Sequence, residues 1–228
     1  MTRARNVADI IKQPFTTTLG TSNYRAGVNA GNSIAAGTNF NVIIGDEAGT
    51  ALNVGDENTL IGYAAGDALL TGEANIAIGK GALGADTKGN VAVAIGVNAL
   101  AIQDFTTAAS NYNVAVGYQT GVLLETGIQN VFIGGLAGDG TDDGDGNVAV
   151  GFQALSGNCG DSNTAVGVDA GIAITGSTNT VIGVVAGKGI TSGGNNTCLG
   201  HAAGRASSPG GNILSLIHIS EPTRRTPI

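Results

Sequence analysis

NVIIG, residues Asn41–Gly45, is followed by NTLIG (Asn58–Gly62) and then by NIAIG (Asn75–Gly79). The motif continues as NVAVG from Asn113, NVFIG from Asn130, NVAVG from Asn147, NTAVG from Asn163, NTVIG from Asn179 and NTCLG from Asn196. A longer variant, NVAVAIG, runs from Asn90 to Gly96 and brings the copies to ten. The closing glycines are Gly45, Gly62, Gly79, Gly96, Gly117, Gly134, Gly151, Gly167, Gly183 and Gly200, spaced 17, 17, 17, 21, 17, 17, 16, 16 and 17 apart. Three residues past each stands an alanine, with Thr120 the exception. Such self-similarity is the mark of a chain built from stacked, equivalent units.

The repeated unit reads as a short strand. Its first and third places after asparagine are filled by β-branched residues such as Ile76 and Ile78, or Val114 and Val116, which suit a pleated surface. The variant at Asn90 carries two extra residues, and a two-residue step keeps later side chains on their original face. The middle place points to the opposite face and is apolar as well: Ile43, Leu60, Ala77, Ala115, Phe132, Ala149, Ala165, Val181 and Cys198. A strand buried on one side alternates apolar with polar; these do not. One face therefore fills the coil and the other calls for a partner as long as the repeat, which identical parallel chains supply most simply. The rest of each coil, such as GDALLTGEA, is expected to form an outer strand and turns.

Energetics agree. Three strand side chains yield roughly 1.5–3 kcal/mol each on burial, whereas ordering one backbone residue costs roughly 1–2 kcal/mol. A single coil cannot stand alone, so stacking and association must supply the difference. The expected architecture is all-β: a parallel β-solenoid, or β-roll, of about ten coils, homotrimeric, spanning residues 31–213. Residues 1–30, with Arg3, Arg5 and Lys12 around a short apolar VADII segment, are expected to be an attachment or flexible segment.

Composition fits a narrow interior. The chain of 228 residues has 39 glycines, 4% aromatics and no tryptophan. The run LSLIHISEPTR, Leu214 to Arg224, resembles an in-frame translation of a sequencing adapter, so residues 214–228 are left out of the fold reading. The natural chain is then expected to continue beyond Ile213. Without that tail the charge is 8 Lys+Arg against 16 Asp+Glu, or −8, compared with −7 for the whole chain. An acidic rod repels phosphate backbones, so nucleic acid is not an expected partner. Cys159 and Cys198 sit more than two coils apart, beyond disulfide reach, and are expected to be free thiols. No stretch is long and apolar enough to span a membrane, and no export signal is read.

The N-x-(A)-(I/V)-G-x-x-A unit resembles the head repeat of trimeric autotransporter adhesins (the YadA-like head) and, more closely, repeats of bacteriophage tail-fibre proteins. The resemblance covers about residues 32 to 213. It implies a β-roll made by three chains, with Asn and Gly as structural positions. The period is longer than in adhesin heads, and MTRARNVADI resembles the start of phage tail proteins. The implied function is a non-enzymatic structural and adhesive fibre segment presenting a receptor-binding region. The implied location is the virion, after assembly in the host cytoplasm, with a bacterial surface adhesin head as the alternative.

Three candidate sites stand apart from the repeat. The run GDGTDDGDG gathers Asp139, Asp142, Asp143 and Asp145, a candidate calcium site by its clustered oxygens, although it lacks the EF-hand order. The loop from Ala101 to Tyr112, source of the single long spacing, brings Phe105 and Tyr112 as candidate receptor contacts; a tolerated insertion is the plainer reading. His201 is the only histidine before the excluded tail, which removes histidine triads and clusters. A hexapeptide-type acyltransferase would show its motif on every side of the coil, whereas here it occurs once per coil. Paired carboxylates for glycan cleavage and a regular threonine array for ice binding are also missing. No catalytic or cofactor site is expected.

Overall fold

The computed structural model describes residues 22–205 and the backbone of 213–215. All its regular elements there are strands: β1 (Tyr24–Ala26), β2 (Val42–Ile44), β3 (Thr59–Ile61), β4 (Ile76–Ile78), β5 (Gly89–Asn90), β6 (Val93–Ile95) and β7 (Ala109–Ser110). The series continues with β8 (Val114–Val116), β9 (Val131–Ile133), β10 (Val148–Val150), β11 (Thr164–Val166), β12 (Thr180–Ile182), β13 (Thr197–Leu199) and β14 (Ile213–Ser215). All but β5 and β7 form one parallel sheet of 12 strands in chain order, each pairing with the equivalent strand of the next coil. β5 and β7 make a separate two-stranded parallel ladder. This is the parallel β-solenoid that the repeat predicts, about 53 Å long for eleven strand spacings of about 4.8 Å.

Three buried columns fill the coil. One is the middle strand residue (Ile43, Leu60, Ala77, Ala94, Ala115, Phe132) and one the alanine past the glycine (Ala48, Ala65, Ala82, Ala99). The third lies seven residues past the glycine (Ile34, Leu52, Leu69, Leu124, Ile174, Ile190). Volume is balanced within several coils, and between coils where Ala115 goes with Gly121, whose added methyl would meet Leu100 and Phe132 of the coils on either side. Where the middle residue is the large Leu60, the residue four past Gly62 is Gly66, and an added methyl there would press on Leu60 Cδ1 or Cδ2. Where the middle residue is Ala77, Ala94 or Ala149, the equivalent place holds buried Leu83, Leu100 or Leu155. These leucines keep the left-handed backbone of their glycine counterparts, with φ of 53°, 49° and 51°, so the chain accepts local strain to fill space. Thr120 fits the alanine column because its hydroxyl donates to the Gly134 carbonyl at 2.7 Å.

The repeated asparagine is buried and forms a ladder. Asn41 Oδ1 accepts the backbone N–H of Asn58 at 2.8 Å, and Asn58 Oδ1 accepts that of Asn75 at 3.0 Å. The same link runs from Asn113 through Asn130, Asn147, Asn163 and Asn179 to Asn196. Most of the amide Nδ2 groups also reach a turn carbonyl, as in Asn58 to Gly72 and Asn130 to Gly144, whereas Asn147 Nδ2 is buried without a partner. Buried polar groups are tolerated when paired in this way. The closing glycine is required twice over. Gly62 has φ of +138°, and a methyl on it would sit 2.6 Å from the Gly79 carbonyl oxygen.

The middle strand residue faces inward and the β-branched pair outward, a choice the sequence leaves open. The structure differs from the sequence reading in three places. The ladder starts before residue 31: Asn23 accepts from Asn41, β1 pairs with β2, and Gly27 and Ala30 take the repeat positions. Arg25 stands there in the middle place, its stem beside Gly31 and its Nη1 donating to the Gly31 carbonyl. The fourth copy is not longer, since Ala92 rather than Asn90 takes the N–H of the ladder, through Asn75 Oδ1. Asn90 belongs to the outer turn, where its Oδ1 accepts from Glu73 N–H at 2.8 Å. Finally, the outer half of the coil forms turns, with regular strand among the described residues only at β5 and β7. Of the expected tail, β14 runs through Leu214 and Ser215 and pairs with β13; the rest, and residues 1–21, lie outside the described residues.

Candidate functional site: the outer sheet face and the inserted loop

Because the strands are straight and in register, their outward residues line up into columns. The first holds Val42, Thr59, Ile76, Val93, Val114, Val131, Val148, Thr164, Thr180 and Thr197. The second holds Ile44, Ile61, Ile78, Ile95, Val116, Ile133, Val150, Val166, Ile182 and Leu199. A third, one residue past the glycine, adds Tyr63, Val97, Tyr118, Phe152, Val168 and Val184, with Tyr63 and Tyr118 exposed by 56% and 57%. Charge enters these columns rarely. Asp46 is tied to Val28 N–H, and Lys80 lies 6.0 Å from the Tyr63 ring centre. A sheet of three-residue strands, roughly 10 Å by 53 Å, presents roughly 500 Å² before the third column is counted. That stands among the largest apolar patches of soluble monomers, a size that often marks a functional surface.

The inserted loop is the second feature. The four residues that lengthen the Gly96–Gly117 interval fall within 104–112, and the loop is fastened to the neighbouring coils. Thr87 Oγ1 donates to Asp104 Oδ1 at 2.8 Å, Asp104 N–H to the Glu125 carbonyl at 3.1 Å, and β7 pairs with β5. Phe105 is half-buried at the loop's base and Tyr112 is exposed at the turn before Asn113, with φ of 53°. They are thus two separate places on the loop. Behind it lie residues that the sequence reading missed: Asp86 and Gln103, both fully buried, stand in the third core column where other coils carry leucine or isoleucine. The signal was present, since both lie seven residues past a closing glycine.

The acidic run does not make a cation site. Asp145 Oδ1 accepts from Ile128 N–H, Asp145 N–H donates to Asp161 Oδ1, and Asp142 Oδ1 accepts from Asp143 N–H. A hydrogen bond from the Asp142 side chain, together with its charge, pushes the Asp143 carboxyl up. Among the described residues no group of three or more His, Cys, Asp and Glu is placed to hold a metal ion. His201 is exposed. Cys159 and Cys198 are free and buried, and burial pushes both thiols up. No described helix is long and apolar enough to cross a membrane.

Most of its buried polar side chains hold coil to coil, while Asn111 Nδ2, Asp139 Oδ1 and Asn147 Nδ2 are buried without a partner, and its distinctive exposed features are an apolar face and a fastened loop. No protein-family model matches the chain, no curated protein matches it, and no solved structure matches it.

Proposed function

We propose that the chain is a non-enzymatic structural and adhesive fibre segment, three parallel copies of which pack along the outward sheet faces into a rod that presents a receptor-binding region. The phage tail-fibre reading, in the virion after assembly in the host cytoplasm, follows from the sequence resemblance. The observation that carries self-association is the lining of the outward face over ten coils, from Val42 and Ile44 to Thr197 and Leu199, apolar throughout its second column and interrupted in its first only by Thr59, Thr164, Thr180 and Thr197. Parallel packing sets each column against its own copy, which is why one composition can serve the whole length.

Sedimentation and light scattering test this directly. The wild-type protein is expected at three times the chain mass. Val116→Lys with Ile133→Lys, both on the outward face, should yield a folded monomer with unchanged far-ultraviolet circular dichroism. A wild-type protein that stays monomeric at high concentration would sink the proposal. No thermal shift is expected with an acyl-CoA.

A further inference from the structure

The asparagine ladder is interrupted at one coil, and the loop 104–112 is inserted beside it. Ala92 has no side-chain acceptor to offer the following coil, and Asn113 N–H turns instead to Asn111 Oδ1 at 3.0 Å, on the loop itself. Inside the roll, Asp86 Oδ1 accepts from Gly89 N–H at 2.8 Å and from Phe105 N–H at 3.2 Å. Asp86 Oδ2 accepts from Gln103 Nε2 at 2.7 Å, and Gln103 Oε1 accepts from Asn113 Nδ2 at 2.8 Å. Every donor in this chain points toward the carboxylate. The titratable groups on the turns packed around it, Asp67 and Glu73 before, Lys88 on its own coil and Asp104 after, lie on the outside of the roll.

We propose that Asp86, directly at Phe105 N–H and through Gln103 and Asn113, is a dedicated seat that holds the loop 104–112 in one conformation. Leu52, Leu69 and Leu124 fill the same position in other coils and Thr141 in another, so the roll has no need of a charged group there. Burial pushes the Asp86 carboxyl up, a penalty that leucine would not carry. What the acid gains in return is the loop's own backbone, Phe105 N–H, and the amide that leads to Asn113. The inference concerns loop order alone and is independent of how many copies associate or what they bind.

Asp86→Leu with Gln103→Leu, a pair that restores the apolar column, separates seat from roll. Chymotrypsin at Phe105 and Tyr112 and hydrogen exchange across 104–111 report the loop; melting and circular dichroism report the roll. In the variant, cleavage and exchange should rise at least about tenfold, the loss of one charge-assisted hydrogen bond, while melting stays level or rises. Asp86→Asn keeps an acceptor for Phe105 N–H but opposes Gln103 Nε2, and should fall between. In the wild type, Phe105 N–H should exchange as slowly as Asn130 N–H. An unchanged loop in the leucine variant, a roll that fails to fold with it, or a fast-exchanging Phe105 would each overturn the proposal.

Discussion

Removing one rung of the asparagine ladder tests whether side-chain amides bind coil to coil. In Asn58→Ala the Asn75 N–H loses its acceptor, Asn58 Oδ1 at 3.0 Å, and the Gly72 carbonyl loses its donor, Asn58 Nδ2 at 2.9 Å. Both groups lie in the fully buried ladder, and an orphaned buried group costs about 1–3 kcal/mol, so the loss should be about 2–6 kcal/mol. Asn58 N–H still donates to Asn41 Oδ1, which confines the damage to the C-terminal side of the substitution. Urea unfolding at one fixed protein concentration reads the cost, since association adds stability by mass action. Asn111→Ala provides a graded comparison, because it orphans Asn113 N–H alone and should cost about 1–3 kcal/mol. If Asn58→Ala costs less than about 1 kcal/mol, the ladder is decoration and the stacking rests on the apolar columns.

Gly62→Ala places a methyl 2.6 Å from the Gly79 oxygen on a backbone with φ of +138° and should cost more than about 3 kcal/mol or abolish folding. Gly135→Ala, whose added methyl meets nothing nearer than 3.6 Å, should change the melting point little. A double-mutant cycle on Ala77→Leu and Leu83→Gly checks the volume balance: overpacking costs about 1–3 kcal/mol and the cavity more, yet the pair together should cost clearly less than the sum. The Asp86 carboxyl is raised in the folded state, so its ionisation opposes folding at neutral pH. Acidification through that raised value toward 3.8 should therefore stabilise the wild type relative to the Asp86→Leu, Gln103→Leu variant. A pH-independent difference between their urea midpoints would refute that assignment.

The parallel sheet was legible because Asn, Gly and Ala recur at fixed offsets, and each has one structural reason to do so. The direction of the strand faces was not. Ile43 and Ile44 are equally apolar, and only the glycine turn and the inward alanine decide which fills the coil. The coil at Asn23 escaped because NYRAG carries Arg25 where other copies carry a hydrocarbon. Asn90 misled for a different reason: its place two residues before Ala92 on the outer turn also favours a short amide or acid, as Asp56 and Asp145 show. Asp86 and Gln103 were overlooked because their column becomes recognisable only after the coil is closed, when Leu52, Leu69 and Leu124 fall into line with them.

Away from the inserted loop, the contacts that fix one coil upon the next, amide, carbonyl or packed methyl, are drawn from positions that the following coil supplies again. Extent along the axis is thereby a counted quantity: adding or deleting a unit of 17 residues should lengthen or shorten the particle by one step of about 4.8 Å, without altering its cross-section. Such a molecule works as a ruler whose reach is written in the number of its units.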